Sequence, residues 1–377
     1  MPYSLTILWH ERSRFLPAIF AVAFSALLIA LQCGLLLGLL AFTSLPIDHS
    51  GADIWVSNRD VESIALSHPI PETWRLRLDE QPEVVQTESL LFGFGSWHRS
   101  DSGREETCCI VGTRLEEGSL GVLRDLTPQM RERLTEPGAV VVDESERPKL
   151  GITEGTGEVA EVSNRRVRVV GLVHGISSTT APFVFCSLQT ARMLLPLFQT
   201  NPAQTMYVLA RCHSAQEAVA VAARLRRTYP DMAVFTSAEF SWRTRSYWLI
   251  RSKAGTAMAC TVVLALLVGL VITSQTLYAA TAASQREYAV LAALGIPRRH
   301  MVGLVLAKSF WIGVVGVCVA LPVSLSLAEA ARLLETKVLL PHWVLAGSAA
   351  LTMGMALLSG VAALRSLRLV EPVSLLR

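Results

Sequence analysis

Charge is scarce in this sequence. Aspartate, glutamate, lysine and arginine make up 17% of its 377 residues, while 51% are hydrophobic; the mean hydropathy is +0.41. Soluble domains carry about 25% charged residues, so the deficit excludes an ordinary soluble chain and indicates a bilayer. The net charge is only +3, and no basic stripe interleaved with aromatics occurs. Nucleic acid is excluded as a partner.

Catalytic motifs are missing as well. No GxxxxGK[ST] occurs, so the chain has no phosphate cradle of its own and needs no bound nucleotide or other cofactor. HExxH, CxxC and GxSxG are also absent. Gly93-Phe94-Gly95 lacks a third glycine and a following helix, so it is a loop pair. His10, His49, His68, His98, His174, His213, His300 and His342 stand singly and read as surface or structural residues. No metal site and no enzymatic activity are expected.

The apolar residues gather into four blocks: Phe15–Ile47, Ala254–Gln285, Val302–Ala328 interrupted only by Lys308, and Val338–Leu364. A hydrocarbon core about 30 Å thick takes roughly 20 helical residues. Each block is long enough, and each must be helical because nothing in lipid satisfies an open backbone. The first apolar stretch is about twice the usual 7–15 residues of a signal peptide and follows a segment containing Glu11, so it reads as an uncleaved anchor. Arg12 and Arg14 precede it; Arg286, Arg298, Arg299 and His300 lie between the second and third blocks; Arg365, Arg368 and Arg377 follow the fourth. Basic residues in short loops stay cytoplasmic, so both termini are expected inside and the region before residue 250 outside. Arg243, Arg245, Arg251 and Lys253 oppose this, but long translocated domains escape the rule.

Few polar groups interrupt the spans. Gln32 and Gln275 are costly against lipid and should face other helices. Lys308 lies near the cytoplasmic end of its span and can snorkel to the interface. No run of intramembrane carboxylates of the proton-transport kind is present. Gly34-Leu-Leu-Leu-Gly38 and Ala356-xxx-Gly360 favour close helix approach, within the chain or across a dimer. The second block's 32 uncharged residues reach about 48 Å at ~1.5 Å each. The excess tilts in the bilayer or projects outward as a stalk, and Ser241–Trp248 just before it carries interface aromatics and a helical pattern.

Between the first two blocks the pattern becomes that of an α+β domain. Strands are expected at Asp53–Ser57, Val84–Phe92, Thr107–Gly112, Ala139–Val142, Arg166–Val173, Pro182–Cys186, Met206–Ala210 and Ala233–Thr236. Arg166-Val-Arg-Val169 alternates as a half-buried strand should. Ser214-Ala-Gln-Glu217 is a capping box opening a helix to Thr228, which makes a β-α-β unit with the strands on either side. The region forms one domain or two lobes, and Gly151–Gly157 is the expected boundary or hairpin. Cys108, Cys109, Cys186 and Cys212 allow three disulfide pairings or four buried thiols, and sequence does not choose among them.

The cytoplasmic segment Ser284–His300 is the most informative. Gly295 and Pro297 terminate a short helix with Tyr288, Leu291 and Leu294 on one edge and Arg286 and Glu287 at its start. Such a helix lies on a membrane or docks in a partner's groove; the stretch around Leu5, Leu8, Trp9 and Arg12 reads similarly.

Arg286-Glu-Tyr-Ala-Val-Leu-Ala-Ala-Leu-Gly295 resembles the cytoplasmic signature of FtsX/MacB-type ABC transporter permeases, departing at Ala292, where a basic residue is common. Arg368-Leu-Val-Glu-Pro372-Val-Ser-Leu-Leu-Arg377 is similar to that family's ending. Gly51–Val56, Val142–Pro148 and Phe235–Phe240 with Tyr247-Trp248 resemble its DevC branch. The resemblance implies a membrane α-helical protein with four transmembrane helices and an α+β MacB-type periplasmic domain. The implied layout is an amphipathic cytoplasmic helix at 1–15, spans at 16–43, 251–284 (with stalk), 302–330 and 342–365, a periplasmic domain at 44–250, a coupling helix at 285–301, an outer loop at 331–341 and a cytoplasmic tail at 366–377. It further implies a homodimer in the inner membrane and a separate ABC ATPase that binds the ATP. That subunit docks on Arg286, Glu287, Tyr288, Leu291, Leu294, Gly295 and Arg298, while Gln32, Gly34, Gly38 and Gln275 pack helices. A periplasmic adaptor and an outer-membrane channel complete a tripartite exporter of lipid, glycolipid or other envelope cargo.

Three other readings remain. An FtsX-like regulator of cell-wall hydrolases stays within the family. A receptor requires a cytoplasmic effector domain, whereas the cytoplasmic pieces here are short. A membrane enzyme lacks a nucleophile or metal cluster.

Overall fold

The computed structural model describes residues 12–99, 103–121, 126–153, 155–176, 181–283, 297–333 and 338–367. The chain divides into two compact units, Leu39–Ser252 and the remainder on either side of it. Helix α1 (Arg12–Asp48) contributes to both. The others of the membrane unit are named below as α4, α5 and α6.

The Leu39–Ser252 unit is built on β1 (Ile54–Asn58), β2 (Ile70–Pro71), β3 (Val84–His98), β4 (Glu105–Thr113), β5 (Ala139–Asp143), β6 (Val159–Val162), β7 (Arg165–Val173), β8 (Phe183–Ser187), β9 (Gln204–Thr205), β10 (Tyr207–Cys212), α2 (Ala215–Thr228), β11 (Met232–Thr236) and α3 (Ser237–Ile250). Short helices fill several connections. Nine strands form one sheet in the order β11-β1-β10-β3-β4-β8-β5-β7-β6. β3 is the hinge of this arrangement. Its first half, Val84–Leu90, pairs with β10, and its second half, Leu91–His98, pairs with β4. Trp97 and His98 pair again with Val162 and Glu161 of β6, so β3-β4-β8-β5-β7-β6 closes on itself at one end of β3.

A large apolar core, including Trp55, Trp97, Phe183, Phe185 and Phe240, fills most of the unit. A second core lies where Ile54 and Val56 of β1, Val208 and Ala210 of β10 and Val234 of β11 meet α2. Consecutive residues of β1 therefore serve different cores, as a pleated strand requires. α2 buries Ala218, Val221, Ala222 and Leu225, an i, i+3, i+4, i+7 stripe. β10, α2 and β11 form the expected β-α-β unit, split by β1, which is antiparallel to both.

Three expectations are corrected here. Gly93 and Gly95 are not a loop pair: both lie within β3, paired with Ile110 and Cys108 of β4. Gly151–Gly157 separates no lobes: the two sheet portions join through β3. Gly151 instead ends the short helix Arg147–Leu150 in the left-handed region at φ 67°, which glycine adopts without strain. The capping box at Ser214 is only half formed, because Ser214 Oγ accepts from Glu217 N at 3.3 Å while Glu217 Oε2 is buried without a hydrogen bond.

The other unit holds the first part of α1 together with α4 (Lys253–Ala283), α5 (Arg298–Leu333, with Pro322 inside) and α6 (His342–Leu367). Among the described residues, four stretches are long and apolar enough to cross a membrane: Phe15–Asp48, Lys253–Ala280, Val302–Ala331 and His342–Val361. Hydrophobicity cannot hold helices together in lipid, so small residues and polar bridges do. A side chain on Gly316 of α5 would strike Val22 Cγ1 of α1 at 2.7 Å. One on Gly360 of α6 would strike Ser309 Oγ of α5. Ser25 Oγ of α1 lies 3.2 Å from Thr273 Oγ1 of α4, and Ser274 Oγ of α4 lies 2.9 Å from Ser359 Oγ of α6. The protein is thus a membrane α-helical chain carrying an α+β domain.

Candidate functional site

The docking residues Arg286, Glu287, Tyr288, Leu291, Leu294 and Gly295 lie outside the described residues, and Arg298 stands at the start of α5. Gly34 lies against the segment before α6: its carbonyl accepts from Leu339 N at 3.1 Å, and a side chain there would strike Val338 at 2.7 Å. Gly38 is buried. Gln32 Oε1 accepts from Thr261 Oγ1 of α4 at 3.2 Å. Gln275 departs from expectation. It is exposed and has no hydrogen bond among the described residues, because α4 turns Thr273 and Leu277 inward instead. Lys308 is buried, with Nζ 5.4 Å from the Phe15 ring centroid.

A dense polar construction in the Leu39–Ser252 unit surrounds α3. Thr236 and Glu239 form a complete capping box: Thr236 Oγ1 accepts from Glu239 N at 3.3 Å, and Glu239 Oε2 accepts from Thr236 N at 3.0 Å. Burial pushes the Glu239 carboxyl up, but the Thr236 backbone N–H and the Arg226 guanidinium outweigh it and hold the group below its ordinary value. Ser237 N donates to Asp53 O at 2.9 Å, which ties the helix start to the chain before β1. Phe240 is fully buried, its ring centroid 5.5 Å from Trp55 and 5.8 Å from Tyr207.

Further along α3 the side chains reach two partners. Arg243 Nε donates to Val61 O at 2.9 Å, and Trp248 Nε1 donates to Ser63 Oγ at 3.1 Å. Arg251 pairs with Glu62. Arg245 turns to α1: its Nε donates to Ser44 Oγ at 2.8 Å and its Nη2 to Asp48 Oδ2 at 2.6 Å. Ser44 Oγ donates to the same carboxylate oxygen at 2.7 Å. α3 is therefore fixed both to the loop after β1 and to the end of α1.

α3 and α4 are separate helices, so the segment before the second span and the span itself are not one continuous rod. Arg251 N and Ser252 N both donate to Tyr247 O, at 2.8 and 3.2 Å, and Ser252 Oγ donates to Trp248 O at 2.6 Å. These bonds satisfy the last carbonyls and end the helix.

Hollows among the described residues of this unit include a polar and an apolar one. A polar cleft of about 460 Å³ is lined by Gly51, Arg114, Glu116, Ser119, Arg131 and Arg211 among others. Arg211 is already committed to Gly51 O at 3.1 Å, and Arg131 to Glu117. An apolar cavity of about 80 Å³ lies beside α1 and α3. Cys108, Cys109, Cys186 and Cys212 are buried free thiols, which resolves the choice left open by their spacing. Burial pushes the Cys108 and Cys109 thiols up to about 12. Among the described residues, no group of His, Cys, Asp and Glu could hold a metal ion.

Sequence reasoning missed the Thr236–Glu239 box, although the T-x-x-E spacing displays it. It also missed the Ser25–Thr273 bridge and the Arg245–Asp48 pair, for which no local signal exists.

Comparison with known proteins finds a family match over part of the chain. Residues 259–372 match the family described as FtsX-like permease C-terminal. No curated protein matches the chain. Among solved structures, the periplasmic region of MacB from Actinobacillus actinomycetemcomitans aligns with 14% identity and a TM-score of 0.34, covering 51% of this chain and 92% of that one. The extracellular domain of the noncanonic ABC-type transporter YknZ from Gram-positive bacteria aligns with 15% identity and a TM-score of 0.33, covering 49% and 98%. A domain of a putative permease protein from Porphyromonas gingivalis aligns with 12% identity and a TM-score of 0.33, covering 50% and 90%.

Proposed function

We propose that this chain is the permease subunit of an ABC exporter of the FtsX/MacB kind, DevC-like in its domain, and that it transmits ATPase-driven motion to the Leu39–Ser252 unit. The observation that supports this most is the FtsX-like match over 259–372, joined to four apolar helices around a large inserted domain. The ATPase is a separate subunit, docked on the segment around Arg286, Glu287, Tyr288, Leu291, Leu294, Gly295 and Arg298, and it alone binds ATP. Two copies of the chain sit in the cytoplasmic membrane with both termini inside and the inserted domain in the periplasm. A periplasmic adaptor and an outer-membrane channel receive the cargo, an envelope lipid or glycolipid.

The reading also has a mechanical basis in this chain. α1 runs without a break from Arg12 to Asp48, and its end is held to α3 through Arg245. The end of α1 is thereby tied to α3, and α3 in turn to β11 through the Thr236 cap and to the chain before β1 through Ser237.

Co-purification with the cognate ATPase tests the docking. Leu291→Glu or Leu294→Glu should abolish binding by placing a charge on the apolar edge; unchanged co-purification would sink the assignment. The chain purified alone should hydrolyse no ATP.

A further inference from the structure

We propose that the polar cleft of the Leu39–Ser252 unit binds a phosphate monoester, with Arg114, Arg131 and Arg211 as the groups that grip its oxygens. All three line the same hollow of about 460 Å³, a size within the range of about 300–1,000 Å³ usual for small-ligand sites. They come from separate elements: Arg114 follows β4, Arg131 stands on the short helix Pro128–Leu134, and Arg211 is on β10. Glu116 is the one acidic residue among the described lining, so three guanidiniums against one carboxylate leave a charge of +2. A cleft lined by one sign of charge focuses its field and gathers counter-ions. The matching ligand is a dianion. A phosphate monoester carries about −1.5 to −2 at neutral pH, whereas a lone carboxylate carries about half of that.

The guanidiniums are held in place and still have donors to give. Each carries several N–H groups in a planar fork that fits phosphate oxygens. Arg211 uses only Nε within the chain, on Gly51 O at 3.1 Å. Gly51 makes that position possible, because a side chain there would strike Arg211 Nη2. Its own N–H donates to Leu120 O at 2.9 Å and ties the loop after Arg114 to the same backbone. Arg131 meets Glu117 through Nη1 at 3.7 Å, and that carboxylate is 88% exposed, a screened pair that a better acceptor displaces. Arg114 has no hydrogen bond or ion pair among the described residues. The buried carboxylate of Glu88 does not compete for it, since Glu88 accepts from Ser119 Oγ at 2.8 Å and from Gln86 Nε2 at 2.7 Å. Leu115 and Leu126 add an apolar wall for the organic part of the ester.

The site lies wholly within one unit and is independent of the export reading. The test titrates the full chain, in detergent and phosphate-free buffer, with glycerol 1-phosphate and follows thermal unfolding. A ligand that binds only the folded state raises the midpoint as its concentration passes the dissociation constant. Glycerol 1-phosphate should do so, and glycerol should not. Arg114→Gln and Arg211→Gln should each raise the half-saturating concentration about tenfold or more, as loss of a charge-assisted hydrogen bond does. Arg114→Gln removes no contact among the described residues, so its midpoint without ligand should match that of the wild type. Arg168→Gln, on β7 and outside the cleft, should leave the half-saturating concentration unchanged. A parallel titration with water-soluble dihexanoyl phosphatidic acid separates the sources. A response to glycerol 1-phosphate assigns a soluble ester, and a response to the phosphatidic acid alone, lost in Arg114→Gln, assigns a lipid-borne one; each supports the phosphate site. No rise with either ester, or a rise that Arg114→Gln shares in full with the wild type, would overturn the proposal.

Discussion

Arg245 of α3 donates to Asp48 of α1 at 2.6 Å, and Ser44 Oγ donates to the same carboxylate oxygen at 2.7 Å. The end of one long helix and the middle of another thus share a single acceptor. Both side chains of the pair are about a third exposed, so its contribution to stability is that of a screened surface pair, about 0.2–1 kcal/mol. A double-mutant cycle with Arg245→Ala and Asp48→Ala, read by thermal unfolding of the full chain, should return a coupling energy in that range that shrinks with added salt. Zero coupling at low salt would show that the two helices are held by packing alone.

The Thr236 cap should matter more. Thr236→Ala removes the side-chain acceptor for Glu239 N and leaves that donor unpartnered, a change that costs about 0.5–2 kcal/mol at a helix start. Thr236→Ser should restore most of it, since the hydroxyl is what the box uses. A destabilisation equal for alanine and serine would point to the methyl group and its packing instead.

The same box predicts a response to acid. The Glu239 carboxyl is held below its ordinary value of 4.5, so the folded state binds its proton more weakly than the unfolded state does. Its stabilising contribution is fully present above about pH 4.5 and is lost as pH falls through the lower, folded value. Unfolding of the wild type should therefore become easier below pH 4.5, and Glu239→Gln should flatten that slope while lowering stability at neutral pH. An identical slope in the variant would remove Glu239 from the account.

These interactions mark where local pattern stops informing. The spans follow from charge-free runs, the strand at Arg166–Val169 from strict alternation, and the helix after Ser214 from its cap and apolar stripe, all of which operate over a few residues. Arg245 and Asp48 are 197 positions apart, and Ser25 and Thr273 are 248 apart, so no periodicity links either pair. The two roles of β3 are hidden for the same reason, because which neighbour each half finds is decided by closure of the sheet. The break at Arg251–Ser252 was obscured by residues that all suit a helix. The docking segment was the reverse case, read from a motif whose residues 284–296 lie outside the described structure.

Packing of the spans gives a sharper contrast. Gly316→Leu places a side chain where Val22 already stands, and Gly360→Leu places one on Ser309. Overpacking of this kind costs about 1–3 kcal/mol or more. Gly347→Leu meets nothing within 4 Å and should be silent. Resistance to unfolding in detergent should fall for the first two variants only; equal tolerance of all three would contradict the helix contacts described.

The buried thiols supply the last prediction. Cys108 and Cys109 are buried on β4, and desolvation raises both to about 12. A thiol reacts as its thiolate, and at neutral pH that form is vanishingly populated here. Cys186 is fully buried, and burial raises it further in the same direction. Folded protein should therefore leave Cys108, Cys109 and Cys186 unlabelled by a water-soluble maleimide, and labelling should appear only as the domain unfolds. Because the thiols are free, the same sample unfolded without reductant should label all three to completion, as should one unfolded with it. If labelling without reductant stops short by two sites, a disulfide has formed and β4 must have moved to permit it.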